Sequence, residues 1–386
     1  MTTIESLEAR QLLASVSVRG DDFLIDGRIT HANSQLAGTL PNIRAANATF
    51  DDANPTTASK WKYPDTRKWD ANRNTSEFIA QLPNWKKAGV LAVTLSFQGG
   101  GPVNNQFGPS QPWDSGAFNR DGAICWAHLA RMEKAIAALN ANGMIAIVNY
   151  FYLGQENRLR DNAAVYKATD NATTWLKNKG FRNVIVDVVN ESRPTFKNTS
   201  VEPSQVHSLI NRVKQIAGGR FLVGTSYPGG VLPSASVVGA SDVIILHGNG
   251  INSSRLKSMI QTMRKKTSKP ILINEDSTSM SNFRAATSMG VSWGYYDQGR
   301  NNYYDGVQSM PIRWAMTNTT VKRAFVSELA RLKRPTAGRP TPPAASIGQA
   351  FNRSDATSPA ADRYDPSATV LHAQSNASSF SEQLIA

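Results

Sequence analysis

Residues 172–191 read ATTWLKNKGFRNVIVDVVNE, and the unit that decides the fold lies within them. Residues 172–179 have a helical pattern, and Gly180 ends it because glycine accepts the left-handed conformation of a helix terminus. Residues 184–189 are then apolar at nearly every position, as in a strand covered on both faces. The same sequence of helix, turn residue and short apolar strand recurs on either side. Strands are expected over 40–46, 91–97, 145–150, 184–189, 221–225, 243–247, 271–274 and 291–295. Helices are expected over 78–88, 128–140, 172–179, 206–217, 255–266, 282–289 and 320–332, with only a turn-rich connection before the sixth strand. Strands alternating with helices imply a parallel α/β sheet. Eight such units imply a (β/α)₈ TIM barrel. A doubly wound sheet is the rival, but it usually has fewer units, and no Gly-x-Gly-x-x-Gly follows any strand.

The flanks differ from this core. Residues 23–30 read as a β-hairpin turning at Asp26-Gly27, a strong two-residue turn signal. Residues 1–16 are expected to be a leader and 17–334 the barrel. Residues 335–386, rich in Pro, Ala and Ser, are expected to be a disordered tail or linker. Residues 7–14 (LEARQLLA) resemble the short N-terminal motif common in exported planctomycete proteins, or else form a small amphipathic helix. That resemblance implies an extracellular or cell-envelope location, although the first thirty residues lack the apolar core of an ordinary signal peptide.

The chain has 386 residues and a net charge of +13. Such a balance favours polyanions generally, yet Arg264-Lys265-Lys266 and Arg331-Leu332-Lys333-Arg334 fall at predicted helix ends, where cations complement the helix dipole. Cys125 is the only cysteine, so an intramolecular disulfide and a cysteine-based zinc site are excluded; its neighbours predict a packed thiol at a helix start. No apolar run is long enough to span a membrane. Five scattered histidines with no His-Glu-x-x-His predict no metal, and Gly99-Gly100-Gly101-Pro102 lacks the Gly-Lys-Ser/Thr of a phosphate loop.

Barrels carry their chemistry at the C-terminal ends of the strands. There the sequence places Arg44, Gln98, Asn149, Tyr150, Tyr152, Asn190, Glu191, Ser226, Tyr227, His247, Asn249, Asn274, Glu275, Asp276, Trp293, Tyr295, Tyr296 and Gln298. Glu191 and Glu275 directly end apolar strands, where an unpaired carboxylate is costly. Glycosidic cleavage uses two carboxyl groups, one as proton donor and one as nucleophile or base. Trp113, in the long loop after the second strand, is a candidate sugar-stacking platform, although an ordinary loop anchor fits equally.

Residues 184–191 (VIVDVVNE) resemble the fourth-strand motif of the large retaining glycoside hydrolase clan that includes cellulases, mannanases and β-galactosidases. Residues 271–275 (ILINE) resemble its seventh-strand motif. Here Ser192-Arg193-Pro194 stands where the clan usually has proline directly after Asn-Glu, and Asn149 and Tyr150 stand where many cellulases have a histidine. The resemblance implies that Glu191 is the general acid/base and Glu275 the nucleophile. It further implies that Asn190 binds the sugar 2-hydroxyl, Arg44 keeps Glu275 ionised, His247 lies near the nucleophile and Trp293 floors the sugar site. Tyr150, Tyr227 and Trp113 complete the expected substrate-binding set. The expected protein is therefore a monomeric retaining hydrolase of β-linked poly- or oligosaccharides, with carbohydrate as partner and no cofactor, metal or nucleic acid. A non-catalytic carbohydrate-binding barrel and a basic polyanion-binding protein are the rivals.

Overall fold

The structure, a computed structural model, describes residues 14–100, 111–299 and 303–336. The leader motif except Ala14, and the expected tail beyond Thr336, lie outside those residues. The first described strands are β1 (Val16–Arg19), β2 (Asp22–Ile25) and β3 (Arg28–Ile29), paired antiparallel in that order. Asp26 and Gly27 take positive φ (53° and 73°) at the β2–β3 turn, as a tight Asp-Gly hairpin requires. β1 is an addition to the predicted hairpin.

Eight parallel strands follow: β4 (Asn42–Arg44), β5 (Ala92–Ser96), β6 (Ile145–Tyr152), β7 (Val184–Asn190), β8 (Leu222–Gly224), β9 (Ile244–His247), β10 (Ile271–Glu275) and β11 (Gly294–Tyr295). Pairing runs β11-β4-β5-β6-β7-β8, with β10 paired to β9. Two backbone links close the ring. Asp242 N–H donates to Val223 O at 2.7 Å between β8 and β9, and Ile273 N–H donates to Ser292 O at 2.9 Å beside β11. A Cβ at Gly294 would lie 2.7 Å from the carbonyl carbon of Asn274, so glycine lets the last strand close the ring.

After the short α1 (Pro55–Ala58), one helix follows each barrel strand: α2 (Ala71–Ala88), α3 (Trp126–Ala141), α4 (Asn162–Asn178), α5 (Val206–Ala217), α6 (Ala235–Ala240), α7 (Ser253–Arg264), α8 (Met280–Ser288) and α9 (Thr320–Leu332). The bounds of α5 and α9 match the periodic pattern. In contrast, α2 and α4 begin earlier than the pattern indicates, because Asp70 and Asp161 cap them by accepting from the N–H groups of Arg73 and Ala164. The connection before β9 holds the extra helix α6, capped by Ser234. Cys125 corrects the reading of a packed thiol: it is the exposed N-cap residue of α3, and Trp126 beside it is 75% exposed.

Alternation along the strands separates two cores. The larger lies between strands and helices and includes Val93, Val186, Leu209 and Ile260. The smaller packs Ala92, Ile145, Ile147, Ile185, Val243, Ile245 and Leu272 together with Leu40 and with Phe23 from β2. The hairpin thus plugs the lower end of the barrel. It is tied there by Val16 N–H to Arg182 O (3.1 Å), Gln35 N–H to Leu332 O (3.2 Å) and Thr336 N–H to Asn33 O (2.9 Å). Among the described residues no helix is long and apolar enough to cross a membrane.

Candidate active site

Above the apolar plug the interior becomes polar. Asp187, in the middle of β7, is fully buried. Its Oδ2 accepts from Asn149 Nδ2 (2.7 Å) and Asn274 Nδ2 (3.0 Å), and its Oδ1 accepts from the Ser226 N–H (2.9 Å). Asn149 Oδ1 accepts from Ser96 Oγ (3.2 Å) and, at 3.4 Å, from Arg44 Nη1. The buried carboxylate therefore supports the guanidinium through one intervening amide.

The next layer holds the candidate chemistry. Arg44 Nε lies 2.8 Å from Glu275 Oε2 in an ion pair with both side chains buried. His247 Nδ1 is 3.1 Å from Glu191 Oε1 and 3.6 Å from Glu275 Oε2. Asn249 Nδ2 donates to Glu275 Oε1 at 3.0 Å. The Arg193 guanidinium pairs with Glu191 Oε2. The rings of Tyr152 and Tyr296 flank Arg44, with centroids 5.9 Å and 5.5 Å from its guanidinium carbon. One oxygen from each glutamate and one His247 nitrogen all lie within 4.8 Å of one another.

Two backbone irregularities set this geometry. Glu191 has φ 57°, a left-handed conformation costing about 1–2 kcal/mol for a residue with a side chain. Ser226 holds it there: its Oγ accepts from Glu191 N–H (3.1 Å) and its carbonyl from Ser192 N–H (2.8 Å). In β10 the register shifts between Ile273 and Glu275. This break lets consecutive residues both serve the interior: Asn274 reaches down to Asp187, while Glu275 stands opposite His247.

Burial and charge act against each other on the titratable groups. Burial would raise the Glu191 carboxyl, but the His247 hydrogen bond and the charges of His247, Arg193 and Arg44 bring it down to about 2. For Glu275 burial dominates and raises the pKa, against Arg44 and His247 and with help from the Glu191 charge. Burial alone would lower His247, but Glu275 and Glu191 raise it. The three groups form one buried cluster whose titrations are linked: His247 and Arg193 favour charge on Glu191, while burial works against charge on Glu275.

Glu191, His247 and Glu275 also form a donor set that could hold a cation, a grouping that scattered histidines in the sequence do not reveal. Arg44 and Arg193 already give each carboxylate a positive partner, which removes the charge imbalance a cation would relieve.

The structure brings Arg44, Glu191, His247 and Glu275 together, with Asn190 at the end of β7, buried and, among the described residues, with no hydrogen-bond partner on its Oδ1. Four expected substrate contacts are buried side chains in this structure. Tyr150 faces outward, its hydroxyl 3.1 Å from Thr173 Oγ1 on α4, because strand alternation turns Asn149 inward instead. Trp293 is buried against Phe283 and Phe325 and donates to Asp276 Oδ2 at 2.7 Å. Trp113 is buried edge-on against Trp61, with centroids 6.0 Å apart. Tyr227 is buried with its hydroxyl 3.5 Å from Pro203 O. Tyr152, Asn249 and Tyr296, all at predicted strand ends, stand at the mouth, as does Arg193.

A cavity of about 590 Å³ is lined by Asn249, Asp276, Tyr296, Asp297, Gln298 and Thr320; it meets the candidate site through Asn249, which bonds Glu275. A hollow of about 670 Å³ lies around Asp21, Arg264, Arg284 and Arg331. The basic clusters contribute to it, but Arg264 pairs with Asp21 (2.7 Å), and Arg284 and Arg331 pair with Glu328 (2.7 and 2.8 Å).

Comparison gives the class: an α/β barrel with the fold of the family 5 glycoside hydrolases. A glycoside hydrolase family 5 protein from Bacteroides vulgatus superimposes with a TM-score of 0.50 at 14% identity, over 79% of this chain and 68% of that one. Another solved glycoside hydrolase gives a TM-score of 0.53 at 11% identity, over 84% of this chain and 73% of its own. No protein-family model matches the chain, and no curated protein matches its sequence. At these identities the likeness is one of fold.

Proposed function

We propose that this protein is a retaining glycoside hydrolase that cleaves β-glycosidic bonds in a poly- or oligosaccharide. One observation carries the reading: two glutamates at the ends of β7 and β10 present carboxylate oxygens within 4.8 Å of each other at one mouth of the barrel. Retaining enzymes hold their carboxyl groups about 5–5.5 Å apart, whereas inverting enzymes leave room for a water between them. Glu275 attacks the anomeric carbon, oriented by Arg44 and Asn249 on its two oxygens. Glu191 protonates the leaving oxygen and then activates water. Asn190, whose amide oxygen has no partner among the described residues, is adjacent to Glu191 and available to bind a sugar hydroxyl.

Glu191 must hold a proton to act as the acid, and its Arg193 partner opposes that. The same ion pair favours a second reading, a barrel that binds carbohydrate without cleaving it. Hydrolysis across plant, algal and bacterial polysaccharides, with the anomer of the first product followed by NMR, separates the two. Turnover with retained configuration, lost in Glu275→Ala, is the expected result. Undiminished turnover in that variant would refute the nucleophile assignment, and binding without any product would favour the second reading.

A further inference from the structure

Two arginines serve the candidate carboxylates, and they differ in how firmly they are committed. Arg44 is 1% exposed, paired with Glu275, hydrogen-bonded to Asn149 and enclosed by Tyr152 and Tyr296. It has no room for a substrate group. The Arg193 side chain is 29% exposed. Its contacts among the described residues go to one neighbour: the guanidinium to Glu191 Oε2, and Nε to the Glu191 carbonyl oxygen at 3.3 Å. A guanidinium has five N–H donors in a planar fork, so most of its donors remain available at the mouth. Arg193 also stands in the Ser192-Arg193-Pro194 segment that separates the acid from the following proline.

The pair is chemically awkward for the reaction. A general acid must hold a proton when the leaving oxygen departs, and a guanidinium on its carboxylate opposes protonation. A neutral sugar offers nothing that competes for Arg193. An anionic group does, because carboxylate and sulfate oxygens match the guanidinium fork.

We infer that Arg193 is a specificity-determining residue that receives an anionic group of the substrate, a uronic acid carboxylate or a sulfate ester, beside the scissile bond. On binding, the Arg193–Glu191 ion pair is exchanged for an Arg193–substrate pair. The exchange removes one of the charges that hold Glu191 ionised and leaves the His247 hydrogen bond, so the carboxylate more readily takes up a hydronium proton from solvent and can act as the acid. The net charge of +13 concentrates a polyanionic substrate near the chain. The exchange step rests on the hydrolase reading; the anion site does not.

The test uses the full chain and calorimetric titration with matched β-linked oligosaccharides on several backbones, each neutral, uronate-bearing or sulfated. The expected result is at least about tenfold tighter binding of one anionic series over its neutral counterpart, the scale of a charge-assisted contact. Arg193→Gln abolishes that preference and Arg193→Lys keeps part of it; the preferred series tells carboxylate from sulfate. Equal affinity for charged and neutral members, a preference that survives Arg193→Gln, or no binding across the panel overturns the inference. Hydrolysis is scored separately. Anion preference without product sinks the hydrolase reading and leaves the site standing. Cleavage of neutral glycans with kcat/KM unchanged in Arg193→Gln, and no anion preference, does the reverse.

Discussion

Replacing Asp187 with asparagine tests whether the buried network supports the mouth of the barrel. The two side chains have nearly the same shape, so packing changes little and hydrogen bonding decides the outcome. Three donors converge on the carboxylate: Ser226 N–H on Oδ1 and the amides of Asn149 and Asn274 on Oδ2. If the new amide oxygen stays with Ser226, its NH₂ faces two donors at 2.7 and 3.0 Å. If it turns over, the NH₂ faces the Ser226 N–H. A flip of Asn149 could relieve one clash, but its own NH₂ would then meet Ser96 Oγ and the Arg44 guanidinium. Each buried donor left facing a donor costs about 1–3 kcal/mol, so the variant is expected to lose about 2–4 kcal/mol after the neighbours relax. Urea unfolding at constant pH reads this directly. Turnover per folded molecule should fall as well, because Arg44 loses its support beneath Glu275. A loss below about 0.5 kcal/mol, the scale of an uneventful surface change, would refute the reasoning. It would mean that the Asn149 and Asn274 amides sit the other way round from the network described.

Two further expectations follow from named contacts. Trp293→Phe removes the 2.7 Å bond to Asp276 and should lower stability by about 1–3 kcal/mol while leaving the KM of a competent substrate unchanged; a raised KM would return Trp293 to the sugar floor. Glu328, whose carboxyl the Arg331 and Arg284 hydrogen bonds lower to about 2, should give a pH-dependent benefit. Its folded value lies below the ordinary value of about 4.3, so the benefit is complete above that range and fades as pH falls towards 2. The melting-temperature gap between wild type and Glu328→Gln should stay level from pH 7 to about 5 and narrow below that towards pH 2, and a gap that widens on acidification would contradict the sign.

The barrel was legible because its signal is periodic and redundant. Helix stops such as Gly89 and Gly218, both at positive φ, and apolar strands such as residues 184–189 each mark the βα unit independently. Glu191 and Glu275 were legible for a different reason: a carboxylate that ends an apolar strand stands out by its desolvation cost. The aromatic contacts were less readable because they depend on parity. Asn149 and Tyr150 are adjacent, yet one points into the ring and the other onto α4. β11 spans only Gly294–Tyr295, too short for a pattern to reveal that Tyr296, rather than Trp293, meets Arg44. Asp187 did leave a signal, a lone charge inside an apolar strand, which is rare without partners. Its partners come from β6, β8 and β10 and are invisible to any local window. The charged partners of the two glutamates are likewise brought to them in space: Arg44 reaches Glu275 from β4, and His247 reaches Glu191 from β9.

The hairpin beneath the barrel has a consequence for biogenesis. The ribosome makes this plug before the barrel strands, yet Phe23 needs those strands above it, Val16 needs Arg182, and Asn33 waits for Thr336, 303 positions later. The plug is therefore satisfied only after the ring it closes, and its apolar face must stay unpaired while that ring is translated. Contacts across so great a separation in sequence slow folding. A chain interrupted before α9 would leave the plug without its final anchors.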